Sequence, residues 1–356
     1  MNPESPIPAT TTPAALDEAA LLAQAQTVIS GNPSWGTVES PTQLGFFMLA
    51  KQGRNIWNAW RKAYPEPVAN FVGTALEGLP IDFSGFSFVG GGVSLDKTYI
   101  TPCVDFNNCN FGRTSKFAGA KFGNFAMFSG AIFKNTAEFV SAEFQGDVLF
   151  QDCLFQSGAD FERAIFYGVP NFHGCTLHQN TSFDKAQFLA PPSAHAARAY
   201  RTLKLAFAQQ HAFHEEQRFF KLEMKAEAGI AEYPKKLMYQ LYETLSDYGS
   251  SLLRPVLFWI LCLLIFAFSY GLLTGATFSL NNIDTQVTVQ WIKFSVLNAV
   301  PLPGLADTLG LLRKELFPDA TTEMKVIILE ILHKTFSLLA FFLIGLALRN
   351  LFKMKG

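Results

Sequence analysis

The sequence predicts a repeat-built β-domain with a narrow, filled interior, helices at its two ends, and an α-helical domain with two membrane spans after it. Three observations point there. Phenylalanines between residues 106 and 188 recur after five residues, then six, then five again; a helix repeats near 3.6 residues and a strand at 2, so a longer unit is repeating. A small residue stands two positions before every second phenylalanine. Two long apolar runs occupy the last third of the chain.

Composition bounds the function. Phe occurs 36 times in 356 residues, far above ordinary globular usage, so the fold uses it as a standard part. A net charge of -1 gives no whole-chain reason to expect a nucleic-acid partner. The N-terminus, MNPESPIPATTTPAALDEAA, has no basic region followed by an apolar one. Residues 1–39 therefore read as a disordered leader with a short helix. Five cysteines without a CxxC pair suit reduced thiols in a cytoplasmic setting.

Residues 40–80 are expected to form a helical N-terminal cap. Leu44, Phe47, Met48, Ile56, Trp57 and Trp60 have helix-compatible spacing, and Ser40-Pro41 supplies a helical start. A tryptophan pair there suits packing on a rod end better than a ligand pocket.

The repeat runs from 81 to 190. One series is Phe106, Phe117, Phe128, Phe139, Phe150, Phe161, Phe172 and Phe183; the other is Phe111, Phe122, Phe133, Phe144, Phe155, Phe166, Leu177 and Phe188. Each steps by eleven, and Phe83 and Phe88 begin the pattern one residue out of step. Before the second series stand Cys109, Ala120, Ala131, Ala142, Cys153, Ala164, Cys175 and Ala186. Residues two apart on an extended segment face the same way, so bulk is being rationed inside a narrow core.

In units such as FSGAIF followed by KNTAEF, this stretch resembles the pentapeptide-repeat family. The resemblance implies a right-handed quadrilateral β-helix, a β-solenoid, with two elevens to each 22-residue coil. About five coils then span 83 to 188, roughly 24 Å at a strand spacing of ~4.8 Å. Cys109, Ala131, Cys153 and Cys175 are 22 apart and should stack along one face. Stacked thiols invite a metal, but Cys and Ala alternate freely there, which suits small hydrophobes better.

Residues 191–250 are expected to be a helical linker, an amphipathic helix or hairpin spacing the rod from the membrane. His211, His214 and Glu215 lack the H-E-x-x-H spacing of a zinc site. The transmembrane domain, 251–356, should hold spans at about 255–273 and 326–348 with a re-entrant or interfacial segment at about 287–304. Arg254 and Tyr270 read as interface anchors of the first span. Within the second, Glu330, His333 and Lys334 are expected at or just inside the interface, where ionisable groups are functional candidates. The charge-bearing residues near the spans favour both termini in the cytoplasm.

The tracts WNAWR, LSDYGSSLLRPVLFW and FLIGLALRNLFKMK resemble membrane-anchored bacterial members of the same family, some of which end in an ion-channel-like pair of helices. Two functions follow as expectations. One is a non-enzymatic cytoplasmic scaffold or protein-interaction module at the inner membrane. The other is a homo-oligomeric ion channel or pore with cytoplasmic solenoids, a tetramer being one form it could take; its pore or interface candidates are Trp291, Asn298, Pro301, Pro303, Glu330, His333 and Lys334. The potassium-filter sequence Thr-Val-Gly-Tyr-Gly is missing, so potassium selectivity is not supported. Expected partners are the lipid bilayer, further copies of the chain and an unknown protein. No cofactor and no nucleic acid are expected: residues 81 to 188 carry ten acidic and seven basic side chains, a weak match to an acidic DNA mimic. No phosphate-binding, nucleophile-elbow or zinc motif suggests an enzyme.

Overall fold

The computed structural model describes residues 17–73, 75–76, 81–101, 103–113, 115–274, 285–300 and 304–353. The chain forms two compact units, Met1–Pro191 with Arg198–Ala206, and Pro192–Ala197 with Phe207–Gly356.

The first unit is a parallel β-solenoid. Among the described residues its short strands fall into four parallel sheets of five, six, five and four strands. Lys121↔Glu143, Phe122↔Phe144, Ile132↔Leu154 and Phe133↔Phe155 are register partners 22 residues apart, so like residues stand above like. Inside, each phenylalanine column stacks its rings: Phe111 on Phe133 at 4.6 Å, Phe133 on Phe155 at 4.6 Å and Phe117 on Phe139 at 4.6 Å. Neighbouring columns meet edge to face, as Phe117 does Phe128 at 5.8 Å and 88°, an arrangement the ring quadrupole favours. Of the sixteen expected core residues, all but the half-buried Phe188 are buried.

The five-residue step contains a tight turn. The carbonyl of Phe128 accepts from the N–H of Ala131 at 3.0 Å, and Phe150 and Cys153 do likewise at 3.3 Å. The residue two after each first-series phenylalanine takes a left-handed φ: Asn108, Gly119, Gly130, Ser141, Asp152, Arg163, Gly174 and Lys185. Turns with a left-handed third residue favour glycine there, yet this chain places glycine at only some of them.

The solenoid starts earlier than expected. Ala69–Asn70 already pairs with Val93–Ser94, and Ala75–Leu76 with Tyr99–Ile100. The expected boundary at 81 is therefore corrected to 69, and the expected cap of 40–80 ends at Ala63. The first coil hides because its spacing is irregular: Ala69↔Val93 is 24 residues, Ser87↔Asn110 is 23, and Val93↔Ser115 settles to 22. One of the extra residues lies in the Val89–Gly92 bend. A Cβ on Gly90 would lie 2.1 Å from the Pro65 carbonyl oxygen, and one on Gly91 2.2 Å from that of Glu66, so only glycine lets the entering chain lie this close.

The N-terminal end is covered by helices α1 (Glu18–Ser30), α2 (Gln43–Ala50) and α3 (Arg54–Ala63). Of residues 1–39, read as a disordered leader with a short helix, 17–39 hold helix α1 followed by turns, with Asp17 capping α1 through its carboxylate; residues 1–16 lie outside the described residues. Helix α2 starts at Thr42, whose hydroxyl accepts from Gly45 N–H at 3.3 Å, rather than at Ser40-Pro41. It buries Phe46 and Leu49 and leaves Leu44 exposed, so its inward face is not the expected one. At the other end, Tyr200 of helix α4 (Ala194–Gln209) sets its ring edge-on to Phe188 at 5.8 Å.

The second unit is helical. The stretch expected as a helical linker is a series of helices: α4 ends at Gln209, then come α5 (Phe213–Ile230) and α6 (Lys235–Ser246). Helix α7 (Leu253–Leu273) and residues 322–353 of α10 (Ala320–Lys353) are long and apolar enough to cross a membrane, by length and composition. Between them lie α8 (Thr285–Ala299) and α9 (Ala306–Leu316). The core is formed by Cys262, Phe266 and Tyr270 of α7, Phe294 of α8, Leu309 of α9, Phe317 just after α9 and Val326 of α10.

Candidate functional site

Three places bear on function: the capped end of the solenoid, its outer faces, and the polar interior of the helical unit.

The WNAWR segment acts as a substitute strand. Among the described residues the end strand Ser87–Phe88 has one neighbour in its sheet, leaving its outer edge to be satisfied by something else. Asn58 does this with both ends of its amide: Nδ2 donates to the Gly85 carbonyl at 3.0 Å, and Oδ1 accepts from Ser87 N–H at 2.7 Å. Trp57 Nε1 adds a bond to the Ser87 carbonyl at 2.9 Å. Arg61 is 2% exposed, its guanidinium 4.7 Å over the Trp60 ring, with Nη1 donating to the carbonyls of Pro65 and Pro67. Burial lowers its pKa to about 10. The tryptophans pack on Phe46, Phe86 and Phe88, and place their ring N–H groups on backbone carbonyls. They are an end plug.

The thiols of the repeat behave as small core groups. Cys109 Sγ donates to the Phe83 carbonyl at 3.0 Å and Cys153 Sγ to the Phe128 carbonyl at 2.8 Å. Desolvation by burial pushes Cys153 up to about 12 and raises Cys109 and Cys175 as well, which disfavours the thiolate a metal would need. Among the described residues no group of His, Cys, Asp and Glu is arranged to hold a metal.

With the interior filled by rings, contact with other molecules falls to the outer faces. On one sheet Phe125 is 47% exposed, and Met127 sits directly against Leu149 one coil on. The adjoining sheet turns Ile132 and Leu154 partly outward. Tyr99 and Tyr167 are exposed on a further sheet, beside the ion pair Lys121–Glu143 at 2.9 Å.

In the helical unit the structure gathers most of the sequence-derived candidates. Glu330, His333 and Ser337 occupy one face of α10 and are all buried, with His333 0% exposed. The Glu330 carboxylate lies between Lys334 Nζ at 3.6 Å and Arg313 Nε at 4.0 Å. His333 stacks on Phe266 at 4.2 Å, and its Nδ1 is 3.4 Å from the Tyr270 hydroxyl. From α8, Trp291 and Asn298 are buried. The Trp291 ring sits where a Cβ on Gly271 would be, 2.6 Å away, so Gly271 makes room for it. Among the described residues, Asn298 Oδ1, His333 Nε2 and Ser337 Oγ are buried without a hydrogen-bond partner. Pro301 and Pro303 lie outside the described residues.

One expectation is corrected here. Tyr270, read as an interface anchor, is fully buried among Phe294, Phe317 and His333. Glu330 and His333 face the interior of the helical unit, while Lys334 reaches outward. The sequence reading does not single out Tyr270, Arg313 or Ser337 for the polar interior. For Ser337 the signal is its i, i+3, i+7 spacing with Glu330 and His333.

Residues 139–187 match the family model described as pentapeptide repeats, nine copies. The match covers part of the solenoid and makes its repeats similar to those of that family. No curated protein and no solved structure matches the chain.

Proposed function

We propose that the chain is a non-enzymatic scaffold: α7 and α10 anchor it in the inner membrane with both termini cytoplasmic, and the solenoid presents its flat faces to a protein partner. The observation that carries this reading is the contrast between a solenoid interior closed by stacked rings and an outer face bearing the exposed Phe125 beside Met127 and Leu149. Anchoring is supported by the two apolar helices. Its orientation is supported by Lys235, Lys236, Arg254, Arg349 and Lys353 near the outer ends of the span pair.

A photo-crosslinker in place of Phe125, in the full chain in native membranes, should give one discrete protein adduct, and the same group in place of Lys116, on another sheet, should not. Equal labelling at both positions, or none, overturns the reading.

One observation favours a second reading, a homo-oligomeric ion channel with a tetramer as the simplest form. Asn298, Glu330, His333 and Ser337 are polar groups buried inside an apolar helical unit, and such groups mark ion or substrate paths in membranes. The mass of the purified chain in detergent and its conductance in planar bilayers decide between the readings. A monomer without current removes the channel; a discrete oligomer whose current changes in Glu330→Gln replaces the scaffold.

A further inference from the structure

Helix α6 turns its apolar side away from its own protein. Tyr239, Tyr242 and Ser246, spaced three and four apart, form the face turned to the rest of the unit. Tyr239 donates its hydroxyl to Glu227 of α5, Tyr242 meets Tyr248 edge-on at 5.4 Å, and Ser246 is fully buried. The opposite face carries Leu237 and Leu241, one turn apart, with Met238 beside them at 69% exposed and Tyr233 just ahead of the helix at 79%. A soluble amphipathic helix is oriented the other way, with its apolar stripe toward the core.

The charges around this face are not evenly spread. The acids at the C-terminal end of the helix are engaged by α5: Glu243 by Lys225 at 3.4 Å and Asp247 by Lys221 at 2.7 Å. At the N-terminal end Lys235 and Lys236 are exposed, with Glu232 beside them. The end of α6 is tied to the start of α7, since Arg254 Nη1 donates to the Glu243 carbonyl at 2.8 Å. It is also tied to the end of α10, since Asn350 Nδ2 donates to the Gly249 carbonyl at 3.0 Å. The C-terminal end of α6 is thus fixed beside the start of α7, at Arg254, and the end of α10, at Asn350.

We infer that α6 lies in the surface of an anionic bilayer, its Leu237, Met238 and Leu241 side chains in the headgroup–acyl boundary and Lys235 and Lys236 among the headgroups. An apolar face flanked by lysines is what interfacial helices present to lipid, and anionic headgroups add about fivefold in surface partition for each nearby lysine. The inference rests on the reading of α7 and α10 as spans. It gives the anchor a preference for anionic lipid and fixes the depth at which α6 meets the membrane.

The test uses the full chain with Cys103 and Cys175 replaced by alanine, labelled with bimane at Met238→Cys, at Leu241→Cys, or at Leu264→Cys on the exposed side of α7. Each is reconstituted into vesicles of phosphatidylcholine alone or mixed with phosphatidylglycerol, with nitroxide lipids bearing the quencher near the headgroup or deep in the chain. Bimane at 238 and 241 should be quenched by the shallow nitroxide more than by the deep one. The effect should be stronger in the anionic vesicles and fall to the phosphatidylcholine level in Lys235→Gln/Lys236→Gln. Quenching at 264 with none at 238 and 241 overturns the inference while leaving the anchor standing. No quenching at any of the three sinks the anchor itself. A disulfide-linked dimer of the unlabelled Met238→Cys chain, without lipid quenching at 238, puts a second copy on the face and also overturns it.

Discussion

The ring of Phe144 lies 4.9 Å from that of Phe122 in the coil before it, parallel to within 4°, and Phe166 repeats the relation on its other side at 5.0 Å. Burying one such ring stabilises the fold by about 1.5–3 kcal/mol, and removing it also opens a cavity that rigid neighbours on both sides cannot close. Phe144→Ala is therefore expected to cost about 3–5 kcal/mol. Thermal melts of the full chain in detergent, followed by the β-sheet circular dichroism signal, measure it; an unshifted midpoint contradicts an inward ring.

The left-handed turn positions and the close-approach glycines make opposite predictions. Arg163 holds a φ of 59° at a site where other coils use glycine, and its pair with Glu162 is solvent-exposed and worth little. Arg163→Gly should raise stability by up to about 1 kcal/mol. Gly146 is different, because a Cβ there would lie 1.7 Å from the Asn124 carbonyl oxygen in the coil below. Gly146→Ala should lower the unfolding midpoint sharply or prevent folding, since the obstacle is backbone. The same melts read both variants, and a shift of equal sign in the two refutes the distinction.

Asn58 bonds to both Gly85 and Ser87 at the solenoid's end, so removing it bares a sheet edge. Asn58→Ala should cost about 1–2 kcal/mol and accelerate hydrogen exchange at the Ser87 amide, with little change at Phe133. An unchanged Ser87 rate means the amide pairing is not what protects that strand.

Burial holds the Cys153 thiol up at about 12, whereas an unfolded cysteine titrates near ~8.5. A raised folded pKa means the fold favours the protonated thiol, so this stability is complete below the unfolded value and is lost as pH rises through the window between the two. The loss approaches about 1.4 kcal/mol per pH unit for such a thiol. Denaturant melts from about pH 8.5 to about pH 10 should show a steeper decline for the natural chain than for Cys109→Ala/Cys153→Ala/Cys175→Ala. Equal slopes in the two proteins refute the account.

The solenoid was legible because one periodicity ran through sixteen positions, from Phe106 to Phe188, and its alternating five- and six-residue steps fit neither an α-helix nor a single strand. Its start was not, because the 24- and 23-residue steps near Ala69 and Ser87 break the beat where the entering chain must be accommodated. Side-chain roles that depend on pairing across the sequence were also hidden. Nothing in WNAWR announces that Asn58 imitates a strand, or that Arg61 is buried on tryptophan with carbonyl partners. In the helical unit, the polar candidates could be read from their depth in an apolar run. The turn of Tyr270 toward His333, and the reach of Arg313 to Glu330, depend on how separate helices pack, which local pattern does not encode.

The repeated register of the solenoid makes its length adjustable. Because Lys121 stands over Glu143 and Ile132 over Leu154 with a 22-residue step that holds from Val93 onward, a whole turn of 22 residues beyond the first coil can be excised or duplicated without disturbing the seams above and below. A lineage can thus enlarge or trim the surface it offers to other molecules by gene-level addition or loss of identical tiles, while the plug at one end and the helices at the other stay as they are.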